Sequence, residues 1–404
     1  MKVALLTREF PPEVYGGAGV HVEALASALE PFVEVAVHCF GRPRSSPAVA
    51  GTYEAWPAIA ALAGDDPLAS ALGVLSVDLA MAAGLGDAEL CHSHTWYANM
   101  AGHLAKLGRD IPHVATTHSL EPLRPWKAEQ LGGGYALSSW YEKVALEGAD
   151  AVIAVSQAMA ADVRSCYPAV DEERIEVIYN GIDTTSWRPD PATDVLERVG
   201  LDPARPLVVF VGRMTRQKGL AYLLEAAPAI DGDAQLAICA GAADTPALAA
   251  EIHALADVAR GRPGGLCWIE EMLPRRDIAQ ILSHATCFVC PSIYEPFGLV
   301  NVEAMACGTA VVASAVGGIP EIVVDGETGL LVHVELDDGP DRAPVAPEAL
   351  SRDLAVAINA LVADPLRARS MGRAGRARVE AMFSWPAVAA RTASCYDRVV
   401  ASPR

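Results

Sequence analysis

The sequence predicts an α/β protein built from two domains, each a parallel sheet with helices on both faces. Three observations predict it. Short β-rich runs alternate with helical patterns almost from end to end, the order expected of strand-helix-strand units. The scheme occurs twice, on either side of a stretch rich in turn formers. At 404 residues, the chain exceeds the roughly 250 to 300 residues at which a single core stops growing.

Strands are expected in the first half at KVALLT (2–7), VEVAVH (33–38), AELCHS (88–93), HVATTH (113–118), AVIAVS (151–156) and IEVIY (175–179). Helices lie between them, for example from Val20 to Leu29 and from Ser138 to Glu147. The second half offers PLVVFVG (206–212), AQLAICA (234–240), GLCWIE (265–270), ATCFVC (285–290) and TAVVAS (309–314). Between the halves, NGIDTTSWRPDPATD (180–194) is proline-bearing and poor in core residues, and reads as a linker. The expected domains are therefore 1–183 and 184–384. After Ser384, the amphipathic WPAVAARTASCYDRVVAS is expected to form a last helix, and 385–404 to return to the first domain. The polar stretch 334–349 reads as a mobile loop.

A composition of 52% hydrophobic and 20% charged residues excludes general disorder. The opening MKVALLTREFPP is too short in its apolar run for a signal peptide, with Arg8 and Glu9 following directly. No later run reaches the roughly 20 apolar residues that cross a bilayer, so a cytoplasmic protein without a membrane partner is expected. Nine scattered cysteines make no disulfide framework. Cys287 and Cys290 would point to opposite faces of a strand, which suits buried thiols better than a metal clip. A net charge of -19 opposes nucleic-acid binding. Any phosphate site must then be built locally, from backbone N–H groups and a few cations.

Ligands of open α/β sheets sit beyond the carboxyl ends of strands, and four such places carry chemistry. After the first strand, Gly16, Gly17 and Gly19 stand before a helix, where backbone can approach a phosphate; a tight turn is the plainer reading. A dinucleotide fingerprint fails, because Val22 replaces its third glycine and His38 ends the second strand without the ribose-binding acid. After PLVVFVG, Arg213 and Lys218 flank a helix entry and could neutralise a diphosphate; Gln217 rules out a Walker A loop. In PSIYEPFGLVNVEAMACGTAVVAS, Glu295 and Glu303 are eight positions apart and share a cleft only if a helix starts between them. Pro296 and Gly298 allow that, with free N–H groups near Gly298 and Leu299. His118 ends a strand, where it could hydrogen-bond a sugar hydroxyl, and His92 and His94 form a second strand-end pair with a structural alternative. The acidic clusters at 231–233 and 337–341 fall away from these ends, so no metal is expected.

Together these segments resemble glycosyltransferase family 4. EPFGLVNVE matches its Glu-x7-Glu motif at Glu295 and Glu303, and GGAG, GRMTRQKG and NGID fit as well. TREFPPEVYGGAGVHV and THSLEPLRPWKAEQLGGGY look like its actinobacterial ADP-glucose-dependent glucosyltransferases of glycogen synthesis. The resemblance implies a GT-B fold, two Rossmann-like domains with parallel sheets facing a deep interdomain cleft, and transfer with retention and without metal. It implies that Arg213 and Lys218 hold the donor diphosphate and stabilise it on departure, Glu303 the ribose and Glu295 the sugar hydroxyls. Gly17, Phe297, Gly298 and Leu299 would line the donor site, His118 would contact the transferred glucose, and Glu9, Tyr15, Gly16 and His94 would lie on the acceptor side. Plant and proteobacterial glycogen synthases carry a lysine just before these glycines, where this chain has Val14 and Tyr15; that departure, with the shorter chain, favours a small phosphorylated acceptor. The expected reaction takes ADP-glucose, a co-substrate with no further cofactor, to glucose 1-phosphate and gives α-maltose 1-phosphate. The alternatives are α-glucan elongation from ADP-glucose or UDP-glucose, an epimerase or hydrolase, or a noncatalytic sensor. A homodimer is left open.

Overall fold

The computed structural model describes residues 1–14, 17–56, 67–124, 133–337, 339 and 343–402. The chain divides into two compact units, Met1–Gly181 with Trp385–Arg404, and Ile182–Ser384.

The first unit runs β1 (Lys2–Thr7), α1 (Gly17–Leu29), β2 (Glu34–Phe40), β3 (Val49–Tyr53), α2 (Pro67–Ala83), β4 (Leu90–His94), α3 (Trp96–Arg109), β5 (His113–Thr117), α4 (Gly134–Gly148), β6 (Ala151–Ala154), α5 (Gln157–Cys166) and β7 (Ile175–Val177). Its seven strands lie in the order β3-β2-β1-β4-β5-β6-β7, every pair parallel. A parallel sheet must be covered on both faces, and β1 shows how. Val3 and Leu5 pack with Val22, Leu25 and Leu29 of α1 on one side, while Ala4 and Leu6 pack with Val77, Met81, Ala98 and Ala101 on the other. The first of these layers is completed from far along the chain. Val388, Ala389, Ala393 and Tyr396 of the C-terminal helix Trp385–Ala401 belong to it.

The second unit runs α6 (Asp194–Val199), β8 (Leu207–Val211), α7 (Leu220–Ala226), β9 (Gln235–Cys239), α8 (Pro246–Arg260), β10 (Leu266–Ile269), α9 (Arg275–His284), β11 (Cys287–Cys290), α10 (Leu299–Ala306), β12 (Ala310–Ser314), α11 (Ile319–Ile322), β13 (Gly329–Val332), α12 (Pro347–Val362) and α13 (Pro365–Met382). Its six strands, also all parallel, lie in the order β10-β9-β8-β11-β12-β13. The predicted α/β class and the Rossmann-like pattern in each unit are therefore present. No helix among the described residues is long and apolar enough to cross a membrane.

Four local expectations change. The edge strands β3 (VAGTY) and β13 (GLLV) were not expected, since each is short and carries a glycine. The helix expected from Val20 starts at Gly17, so Gly17 and Gly19 lie in its first turn rather than ahead of it, while Tyr15 and Gly16 fall outside the described residues. The stretch 180–194 is not a slack linker. Ile182 and Trp187 are buried, Ile182 pairs with Ser384, and the Asp183 carboxylate accepts from Thr185 N at 2.9 Å and from the Thr185 and Ser186 hydroxyls. The polar stretch 334–349, expected to be mobile, lies partly outside the described residues at 338 and 340–342. Its flanks pair through Leu336 and Pro344, with Asp337 N donating to Ala343 O at 2.8 Å. Pro347, at the first turn of α12, ends it early because proline has no N–H to lose there.

Candidate functional site

In both sheets the connections reverse direction beside a central pair of strands, β1 with β4 and β8 with β11. Such switch points open a crevice at the carboxyl ends of the pair, and the predicted residues concentrate there.

In the second unit, β8 is followed by exposed Arg213 and by a single 3-10 turn, Arg216–Lys218. Gly219 closes that turn at φ +65°, and a Cβ on it would run into the Pro291 carbonyl. Only glycine tolerates both demands, and the close approach presses the β8 turn against the β11 turn. Gln217 reinforces the contact, donating to Tyr294 O at 2.9 Å and accepting through its own carbonyl from Ile293 N at 3.0 Å. Lys218 is thereby delivered to Glu295: Nζ lies 2.6 Å from Oε2, which also accepts from Ser292 Oγ at 3.1 Å. Glu295 is 7% exposed, so this pair is largely withdrawn from water. Burial works against the Lys218 ammonium, yet Glu295, by charge and hydrogen bond, and Cys290 together outweigh it and raise its pKa above the ordinary value. The two residues expected to serve different parts of a donor are thus one hydrogen-bonded unit. Both contacts fall on Oε2, leaving Oε1 to take a further donor.

Glu295 precedes α10 and Glu303 lies within it, with Gly298 as its N-cap at φ +109°. Asn301 is wholly buried under that turn, its Nδ2 2.7 Å from where a Gly298 Cβ would stand. On the other side, Gly317 packs so tightly on Glu295 that a Cβ would meet its carbonyl, and Gly318 N donates to that oxygen at 2.9 Å. Phe297 is buried against Phe383, and Leu299 opens the helix. Glu303 is partly buried. Desolvation lifts its carboxyl from 4.5 to about 7, against the pull of Arg275 and Lys218.

In the first unit the crevice holds histidines. His94 closes β4, His118 follows β5, and His21 comes from α1. His94 Nδ1 and His118 Nε2 are 3.1 Å apart, and the His21 ring lies 4.8 Å from that of His118. Desolvation lowers all three; for His118 it is the one cause, taking the pKa to about 4, while neighbouring histidines add to the effect on His21 and His94. Neutral imidazoles therefore line this crevice at pH 7. His92 is different, since Nδ1 meets Tyr396 Oη and Nε2 meets Thr116 Oγ1, both at 2.6 Å. Its structural alternative is the one seen. Glu9 lies over Gly19, where a Cβ would stand 2.8 Å from its own Cβ, so that glycine admits the acid to the first turn of α1. Gly17 is exposed in the same turn.

Several residues at these crevices were not singled out from the sequence. Ser292 and Asn301 are ordinary polar residues whose contacts depend on tertiary packing. His21 sits within an apolar helix, and only the i, i+4 spacing from Gly17 hints at its face. Arg8, exposed after β1, stacks its guanidinium 4.1 Å from the Tyr97 ring centroid. Its place after a central strand is the signal that could have marked it.

Residues 15–186 match the family model Glycosyltransferase Family 4, and residues 193–378 match Glycosyl transferases group 1. The chain is 54% identical to Alpha-maltose-1-phosphate synthase of Mycolicibacterium smegmatis, over 99% of this chain and 100% of that protein. It is 52% identical to the protein of the same name from Mycobacterium tuberculosis, with the same coverage. Among solved structures, sucrose-phosphate synthase from Thermosynechococcus elongatus matches with a TM-score of 0.79 and 28% identity, covering 100% of both chains. Two such sheets with glycine-shaped turns at their switch points, and relatives more than half identical from end to end, leave one conclusion: the chain belongs to glycosyltransferase family 4 and is a glycosyltransferase of GT-B fold.

Proposed function

We propose that this hexosyltransferase moves glucose from ADP-glucose to O4 of glucose 1-phosphate, with retention and without a metal ion, giving α-maltose 1-phosphate and ADP. The observation that carries the reading is the end-to-end identity of 52–54% to proteins named for making that product. Val14 ahead of Gly17, in place of a lysine, supports the small acceptor.

In this reading the bond from glucose C1 to the ADP phosphate breaks while acceptor O4 bonds to C1 on the same face. The O4 proton passes to the departing phosphate oxygen, so no enzyme nucleophile is needed. Lys218 and Arg213 stabilise the charge growing on that phosphate; an ammonium has three donors, and Glu295 occupies one of them. Glu295 accepts from sugar hydroxyls through Oε1, and Glu303 accepts from the ribose. His118, neutral at pH 7, hydrogen-bonds the transferred glucose rather than charging it.

The test supplies ADP-glucose with glucose 1-phosphate, or with glycogen, in the presence of EDTA, and reads products by mass and anomeric NMR. An α-linked disaccharide phosphate is expected. Turnover with glycogen alone would move the assignment to chain elongation, and a β-linked product or loss of turnover in EDTA would overturn the mechanism.

A further inference from the structure

We infer that His21, His94 and His118 form a site for one divalent transition-metal ion of the zinc type, and that filling it switches the transferase off. One ligand atom from each of the three lies within 4.8 Å of the others, a spacing met by no other group of three such side chains among the described residues. A tetrahedral ion with bonds to imidazole nitrogen of about 2.0–2.1 Å holds its ligands roughly 3.4 Å apart. His94 Nδ1 and His118 Nε2 are already 3.1 Å apart, so small ring rotations, chiefly of His21, would gather the set.

Hydrogen bonding selects these three histidines from the four in the crevice. His92 has both nitrogens engaged by Tyr396 and Thr116, and its lone pair is spoken for. His94 Nε2 is buried without a partner, whereas His21 hydrogen-bonds the Asn180 side chain. A buried polar atom left unpaired costs about 1–3 kcal/mol, so the cluster is not closed by its own hydrogen bonds. A metal bonds imidazole nitrogens directly, and His21 would keep its second nitrogen on the Asn180 side chain, as ligating histidines commonly do. The donor set is wholly nitrogen, which suits zinc, copper or nickel and not magnesium or calcium. His118 is partly exposed, giving an ion a way in and leaving a fourth position for water.

Binding rests on this geometry alone. The inhibitory half rests on the proposed role of His118, because a nitrogen bound to metal no longer meets a sugar hydroxyl. The ion is an inhibitor and not a participant, since turnover needs no metal in the proposed mechanism.

The full chain, freed of metal with EDTA and dialysed, is titrated with Co2+ and followed by visible absorption, then with Zn2+ against a chromophoric chelator. One ion per chain is expected, with the d–d bands of a nitrogen-ligated tetrahedral site and no thiolate charge-transfer band. His21→Asn should weaken zinc binding by about 100-fold, since losing a ligand costs at least as much as losing an outer partner. His94→Gln gives the same reading should His21→Asn fail to fold, and the wild-type cobalt spectrum needs no variant. In a metal-buffered rate assay, wild-type activity should fall to zero with a midpoint at the binding constant. The midpoint for His21→Asn, scaled to its own metal-free rate, should rise by the same factor of about 100. A thiolate spectrum, no stoichiometric binding, or unchanged affinity in both variants overturns the site. Stoichiometric binding with undiminished turnover overturns the switch. Absence of transfer in metal-free enzyme refutes the proposed reaction and leaves the cobalt result to stand on its own.

Discussion

Replacing Glu303 with glutamine should make the second unit more stable at alkaline pH and remove a pH dependence that the wild type carries. Desolvation raises the Glu303 carboxyl from 4.5 to about 7, so between those values the folded state holds a proton that the unfolded chain has lost. Stability must then fall as pH rises through that window, and the full cost is present above about pH 7. At about 1.4 kcal/mol per pH unit, the interval from 4.5 to about 7 is worth about 3 kcal/mol. The side chain keeps some exposure, and water near the carboxylate reduces that to roughly 1–2 kcal/mol. Glu303→Gln keeps the size and the acceptor oxygen but never ionises. Guanidinium titrations of both proteins at pH 5, 6, 7 and 8 supply the difference at each pH, which cancels every other titrating group. The difference should be near zero at pH 5 and favour the variant by roughly 1–2 kcal/mol at pH 8. A difference that stays flat across the series would refute the burial argument. The same variant should raise KM for the nucleotide-sugar, because an amide is a weaker acceptor for a ribose hydroxyl than a carboxylate.

Lys218→Met strands a carboxylate that is largely out of water, and should cost about 3 kcal/mol, whereas Lys218→Met with Glu295→Gln together should cost less than the sum of the singles by roughly 1–3 kcal/mol. Denaturant titrations around that cycle check it, and additivity would show the pair to be solvated. Gly298→Ala puts a Cβ at φ +109° and 2.7 Å from Asn301 Nδ2. The expected loss is about 1–3 kcal/mol of stability with weaker ADP binding, read by melting with and without ADP. Burial holds His118 down to about 4, below its unfolded value of 6.5, so the folded protein keeps it neutral above about pH 5, and its contribution to stability, full above 6.5, is lost progressively as pH falls from 6.5 through about 4. The rate of transfer should therefore show no step due to His118 between pH 5.5 and 7.5. A step near 6.5 that vanishes in His118→Asn would contradict the buried neutral imidazole.

The central strands were legible because a strand covered on both faces must be apolar along its whole length. The strand KVALLT is seen from end to end as predicted, and CFVC lies inside the run that predicted it. The edge strands β3 and β13 escaped because an edge needs neither length nor continuous apolar residues; its hydrogen bonds come from the neighbour. The helix break between Glu295 and Glu303 was readable from Gly298, a local signal. That Glu295 meets Lys218 was not, since the contact joins positions 77 apart and depends on Gly219 and Gly317 letting two turns close on each other. The same holds for His21, whose neighbours His94, His118, Asn180 and Trp385 come from four other places in the chain. The stretch 180–194 read as poor in core residues because turn formers surround Ile182 and Trp187, yet a capped turn can carry a core side chain as firmly as a helix.

The hydrogen bond between His92 and Tyr396 joins residues 304 positions apart, and it gives the first unit an unusual history during synthesis. Ribosomes add about 5–20 residues each second, so His92 would be made roughly 15 to 60 s before its partner. Throughout that interval the face of α1 destined for Val388, Ala389 and Tyr396 has nothing to lie against. The second unit, continuous from Ile182 to Ser384, can be finished first. The amino-terminal unit of this enzyme is thus completed after the second, and a chain released before Trp385 would hold one whole unit and one that lacks part of its core.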